Sequence, residues 1–267
     1  MKKRLYVLSA VALPLVLTAC PGPAVPTVTP ITEMNGRIQG QDALTSGGTA
    51  SVQLVSSIYD LVFGVPPMKT APVAADGSFT LTLPTAAEVA PRLQQVPSQE
   101  VDSACSGRAV VTPATANFFE FGSLFLFHDG QPQAELTSQD SKTTQNSDGS
   151  TTKATTLHSW LYVDVPTHMS VDLTCPQNQG STTAVTVTTQ IELTLQSGWN
   201  ALTVADTNVT FPDGHQTMTE KVSKAANAPT VWTAEGINAM ALAQSGGAAT
   251  SGVSKGMQSH STFFHRE

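Results

Sequence analysis

Charge is what this sequence has least of. Asp, Glu, Lys and Arg make up only 12% of its 267 residues, about half the usual share. Thr, Ser, Gln and Asn stand in their place, a balance that suits an extracytoplasmic β protein better than a helical cytosolic enzyme. Positive charge is the scarcer sign: 13 Lys and Arg against 20 Asp and Glu leave a net charge of −7. Without a basic patch there is no electrostatic footprint for nucleic acid or for anionic lipid. No apolar run reaches the ~18 residues of a membrane-spanning helix. Cys-x-x-Cys is missing, which removes zinc ribbons and thioredoxin-like redox sites. Phosphate-loop and dinucleotide glycine patterns are missing too. The six histidines, at 128, 158, 168, 215, 260 and 265, show no metal-ligand spacing. No metal and no cofactor is expected.

What is present begins at the N-terminus. Lys2, Lys3 and Arg4 precede an uncharged apolar stretch, residues 5–17. Those positions make roughly 20 Å of helix against a bilayer core of about 30 Å. A charged start, a short apolar run and small residues at its end read as a secretory signal, residues 1–19. The run ends in Leu17-Thr18-Ala19-Cys20, just before a proline-rich segment. That tetrapeptide resembles the lipobox of bacterial lipoproteins. The resemblance implies cleavage before Cys20, a diacylglyceryl thioether on its thiol, and acylation of the new terminus by a chain such as palmitate. A thiolate is the nucleophile such chemistry needs, and two or three acyl chains anchor stably where one is marginal. The expected partner is then a membrane, and the expected location the extracytoplasmic side of a bacterial envelope. Removing residues 1–19 takes away three cations and no anion, which moves the net charge to about −10.

Prolines at 21, 23, 26 and 30 make residues 20–32 a polyproline-like spacer. With Cys20 assigned to lipid, Cys105 and Cys175 remain, and two thiols outside the cytosol are expected to pair. The enclosed loop of about 70 residues gives on the order of 4 kcal/mol in the chain-entropy view.

Residues 33–233 read as one mainly β domain, an antiparallel β-sandwich with short helical turns. "MNGRIQG" and "TASVQLVS" are the first two strands, and "IYDLVFG" is a third. "APVAADGSFTLTLP" reads as a hairpin around Asp76-Gly77, with Phe79, Leu81 and Leu83 on one face. "PTAAEVAPRLQQV" is a helical turn kept short by Pro91. "NFFEFGSLFLFHDG" is apolar on both faces, as in a strand covered on both sides, with a bulge expected at Gly122. "SQDSKTTQNSDGSTTKATT" is a polar hairpin or loop with weakly specified register. "LHSWLYVDVP" and "MSVDLTC" follow. In "AVTVTTQIELTLQSGWNALTV", Val185, Val187, Ile191, Leu193 and Leu195 alternate with Thr186, Thr188, Gln190 and Glu192, the pattern of a half-solvated strand. Gly198-Trp199-Asn200 turns it back, and Pro212-Asp213-Gly214 closes a last hairpin. Beyond Trp232 the pattern fades. "AEGINAMALAQ" suits a short helix, and the Gly/Ser-rich remainder of residues 234–267 a mobile tail.

Gly36-x-Ile38-x-Gly40, "SVQLV" and "DGSFTLTLP", within residues 36–84, resemble the opening half of a transthyretin-like or carboxypeptidase-regulatory-like β-sandwich. An Ig-like or transthyretin-like fold is therefore expected. The resemblance implies a structural or binding accessory domain with no catalytic residues to carry over.

Catalytic candidates are weak. Gly252-Val253-Ser254-Lys255-Gly256 matches the nucleophile-elbow pattern but lacks the strand, helix and downstream acid and histidine it needs. Asn146-x-Asp148-Gly149, with Asp140 upstream, lacks the alternating acids and final Glu of a calcium loop. Glu100 and Asp102 are a carboxylate pair of the kind glycosidases use. Trp160, Trp199 and Trp232 are the candidate ligand-contact aromatics, able to stack on sugars or anchor a protein if exposed, and able to pack a core if not. The expectation is a non-catalytic, lipid-anchored envelope module, with an envelope protein or glycan as partner. The alternatives are a solute- or glycan-binding lipoprotein, which needs an aromatic-lined cleft, and a hydrolase, which needs converging carboxylates or a Ser/His pair.

Overall fold

Period-2 alternation organises the chain as expected. The computed structural model describes residues 30–39, 48–56, 60, 61, 63–95, 104–177, 185–226, 228 and 230–236. Their strands form two sheets. The seven-stranded sheet has the spatial order β3 (Lys69–Pro72), β2 (Ala50–Val55), β8 (Ser123–His128), β9 (Gln131–Thr137), β16 (Val231–Gly236), β1 (Glu33–Gln39) and β4 (Ser78–Thr82). The nine-stranded sheet runs β5 (Gln94–Gln95), β7 (Asn117–Glu120), β11 (Thr151–Val163), β14 (Gly198–Thr210), β15 (Gln216–Lys224), β13 (Val185–Leu195), β12 (Thr167–Gln177) and β6 (Ser106–Thr112), with β10 (Gln139–Gln145) beside the first half of β11. The protein is mainly β and sandwich-like, with both sheets curled. Most pairings are antiparallel, but β1–β16 and β13–β15 are parallel.

Two cores follow from the curl. The inner face of the seven-stranded sheet, with Met34, Val52, Leu54, Leu81, Leu124 and Leu126, packs on Phe119, Phe121, Trp160, Tyr162 and Trp199 of the other sheet and its edges. The nine-stranded sheet wraps a second core of Phe118, Leu161, Val163, Met169, Ile191, Leu193, Leu195, Leu202, Val204 and Val222. β11 serves both: its even residues Trp160 and Tyr162 face the first core, its odd residues Leu161 and Val163 the second. Each such buried side chain contributes about 1.5–3 kcal/mol by leaving water.

The phenylalanine-rich segment lies centrally and is buried on both faces. Leu124 and Leu126 enter the inter-sheet core, and Phe125 and Phe127 are covered from outside with Val55 and Leu61. Gly122 is a corner rather than a bulge: between β7 and β8 it passes the chain from one sheet to the other. A Cβ there would collide with the Val55 carbonyl oxygen. The ladder irregularity falls instead between Leu126 and Phe127. Ser138, 6% exposed, returns the chain between β9 and β10.

Four further expectations are corrected. Asp60 and Leu61 are helical and Phe63-Gly64 is a turn, so this part of "IYDLVFG" is not a strand. The third strand is β3. The Asp76-Gly77 turn forms, with Gly77 at φ +80° and the Asp76 carboxylate accepting from Ser78 N–H (3.0 Å) and Oγ–H (2.6 Å). Its arms, however, stand at opposite edges of the sheet order. Val73 N–H donates to Ala50 on the β2 side, so by strand alternation the nitrogen of Pro72, which carries no hydrogen, faces β4. The β13–β14 hairpin is likewise prised open, because β15 lies between its arms and pairs with both. At its tip Asn200, 2% exposed, accepts from Gln196 N–H and donates to the Gln196 and Gly198 carbonyls. Finally, Ala234, Glu235 and Gly236 continue β16 and are not helical.

Candidate functional site

Chemistry-bearing groups converge at the end of the nine-stranded sheet away from the shared core. There β11, β13, β14 and β15 run past the last aliphatic layer of Leu157, Val204, Val222 and Ile191. The next inward-facing register is polar: Thr155 is opposite Asp206, Asp206 opposite Glu220, and Glu220 opposite Thr189. Directly opposed residues share a face with Cβ atoms about 5 Å apart, so Asp206 and Glu220 lie side by side, with Glu220 5% exposed. Lys153, Asn208, Met218 and Val187 form the layer beyond. Side-by-side carboxyls are the raw material of acid–base and glycosidase chemistry. This pair marks the register at which the aliphatic core ends, with the Glu220 side chain buried.

The disulfide clamps the same end. Ser106 pairs with Thr174 in the β6–β12 ladder, and Cys105 is joined to Cys175 in the next register, Cα atoms 4.2 Å apart. The pairing of Cys105 with Cys175 expected from the sequence is present, and it ties β12 to the residue before β6.

The three tryptophans all lie in the inter-sheet core: Trp160 is 0% exposed, Trp232 3% and Trp199 7%. Trp160 stacks on Trp232 with ring centroids 5.6 Å apart, and Phe121, Tyr162 and Phe119 meet Trp160 or Trp199 at tilted or edge angles. Trp199 Nε1–H donates to the Pro84 carbonyl at 2.8 Å. At that exposure none of the three presents a ring face to solvent among the described residues. A shallow cleft of about 320 Å³ does lie between the splayed β3 and β4, lined by Pro72, Val73, Ala74, Ser78, Phe79 and Thr80.

The histidines stay dispersed. His168 faces Glu192 at 3.3 Å on the outer face of the nine-stranded sheet, His215 contacts Asp213 and stacks on Phe211, and His128 lies beside Asp129. No group of three His, Cys, Asp or Glu suited to a metal ion occurs among the described residues. The calcium-like stretch is turn chemistry: Asp148 accepts from Ser150 Oγ–H and N–H, which hold its carboxyl below the usual range. Asn146 donates to Ser150 and Thr152. Cys20, Glu100, Asp102, the Gly252–Gly256 pattern, His260 and His265 lie outside the described residues.

Asp206 and Glu220 were not singled out from the sequence. Fourteen positions separate them, and only the β14–β15 register, set by the Pro212-Asp213-Gly214 turn, brings them together. With the turn fixed, that pairing is countable from the sequence, since Thr210 opposes Gln216. No known protein family, no curated protein and no solved structure matches this chain.

Proposed function

We propose that this chain is an exported, lipid-anchored and non-catalytic module of a bacterial envelope, a structural or binding body held at a membrane through Cys20. The observation that carries the reading is the Cys105–Cys175 disulfide across β6 and β12, since such bonds persist in oxidising compartments outside the cytosol. The lipobox-like Leu17-Thr18-Ala19-Cys20 supplies the anchor, and the proline-rich residues 20–32 the spacer. With Trp160, Trp199 and Trp232 committed to the core, recognition of an envelope protein or glycan falls to outer faces and edges rather than to an aromatic cleft.

Intact mass of the chain from the membrane fraction, without reductant, tests this. The expected species begins at Cys20, carries diacylglyceryl and amide-linked acyl mass, and lacks two hydrogens for the disulfide. A chain of unmodified mass in the soluble fraction overturns the anchoring. In-cell cross-linking then names the partner, and a stoichiometric envelope protein is the expected product.

A further inference from the structure

An apolar patch marks the place where the N-terminal segment joins the body. Ile31 bridges to Trp199, Leu83 N–H donates to the Thr32 carbonyl, and Trp199 Nε1–H donates to Pro84. Pro84 leads directly into α1 (Ala86–Val89) and the following 3-10 turn, Ala90–Arg92. Both ends of the segment connecting β2 to β3 are fastened to that element: Arg92 Nε–H donates to Ser56 Oγ at 3.3 Å, and Lys69 Nζ–H to Glu88 at 2.7 Å. From this base the connecting segment projects Phe63, 73% exposed, with Val65 at 39%. Pro66, Ala86, Ala87, Ala90 and Pro91 are exposed around the same base.

We infer that this patch is a second membrane contact, with Phe63 and Val65 seated in the interfacial layer of the bilayer that anchors Cys20. The inference rests on the anchoring proposed above. Three observations favour lipid over a protein partner. Pro30 is ten residues from Cys20, so the joining point stays within about 35 Å of the acylated residue even when those residues are fully extended. The patch is on the end of the body that this short connection leads to. Its outermost side chains, Phe63, Val65 and Pro66, are apolar, and the polar groups at its base are engaged with one another: Asp60 accepts from Ser56 Oγ–H at 2.6 Å, Glu88 from Lys69, and Arg92 donates to Ser56. A shallowly inserted Phe with aliphatic neighbours adds apolar burial to an anchor without needing anionic lipid, which fits an acidic chain.

The test exploits the buried native tryptophans. In Phe63→Trp the new indole is the exposed one, so contact quenching by phosphatidylcholine brominated on its acyl chains reads position 63. Ala75→Trp, in the turn at the far end of β3 and β4, is the control. The chain is held on vesicles by its own acyl groups where intact mass shows them. Otherwise residues 20–267 are coupled through the Cys20 thiol to a maleimide lipid, so absence of natural acylation and absence of contact are read separately. Emission at position 63 is expected to shift to shorter wavelength and fall about two-fold, with position 75 unchanged. Equal, weak quenching at both positions overturns the inference. An unquenched position 63 whose emission shifts as chain concentration rises assigns the patch to a second copy, and also overturns it.

Discussion

The two cores are built from the same alternation but differ in kind. The inter-sheet core is aromatic, with Trp160, Trp232, Trp199, Tyr162, Phe119 and Phe121 in mutual contact. The core inside the nine-stranded sheet is mostly aliphatic, and it ends abruptly at the Thr155–Asp206–Glu220–Thr189 register. Large flat rings fill much of the space between the two sheets, and branched aliphatics of moderate volume fill the inside of the curled one. Only the first core holds the body together as a unit. The second can extend into a mostly polar blade because its strands carry on pairing beyond the aliphatic layers.

Trp160→Ala is the severest way to break that division. The residue is fully buried, stacks on Trp232 from the opposite sheet, and sits on the strand that serves both cores. A loss of about 3–5 kcal/mol is expected, as for large-to-small changes at buried aromatics. Denaturant unfolding followed by tryptophan fluorescence and by far-UV circular dichroism checks it. Both probes should shift together, and a variant that loses the fluorescence transition alone would show the sheets to be independent.

Opening the disulfide is the next largest effect and should fall on one region. Cys105→Ala with Cys175→Ala releases a 70-residue separation, worth on the order of 2–4 kcal/mol through the unfolded chain. Hydrogen exchange should quicken most across β6 and β12, which gain local openings, while β1, β2 and β8 lose only the smaller shared protection that comes with lower global stability. Equal loss in both sheets would contradict the regional picture.

Legibility followed locality. Hairpins with a tight turn between continuous strands were the most readable: β14–β15 closes at Phe211–His215 as expected, and β10–β11, open in the sequence between a hairpin and a loop, closes at Asn146–Ser150. The two-sided burial of β8 was readable from its unbroken apolar run. What failed were strands whose neighbours are set by something distant. Asp76-Gly77 has every feature of a hairpin turn, yet one proline in β3 and the closure of the whole sheet decide that its arms do not pair. β15 slips between β13 and β14, and no feature of either strand announces it. Asp206 and Glu220 illustrate the same limit at a site, because a carboxyl pair exists only once a register does. The disulfide was legible by counting thiols rather than by any geometric signal.

The smallest predicted effect separates two acidic ties, one on each sheet. Asp164 fastens the start of β7 to the end of β11. Burial works against its charge, but the Asn117 side chain (2.6 Å) and N–H (2.9 Å) outweigh that and hold its carboxyl below the usual range. Glu88 ties α1 to β3. The Lys69 ammonium, and then Thr85, bring it down to about 2. A carboxylate with a lowered folded value contributes stability that is present above its unfolded value near ~4 and is lost as pH falls through the folded one. Both ties should therefore weaken as pH falls below about 4, the Glu88 tie as it approaches about 2. The Glu88 side chain is 42% exposed, so solvent screens most of its contribution, whereas Asp164 is half-buried at the junction of the two cores. Thermal melts from pH 5 to 2 should accordingly fall less steeply in Asp164→Asn than in the parent chain, by about 1–2 °C. Glu88→Gln should follow the parent within error. The reverse order would mean that acid first opens the seven-stranded edge, leaving the shared core as the last part to yield.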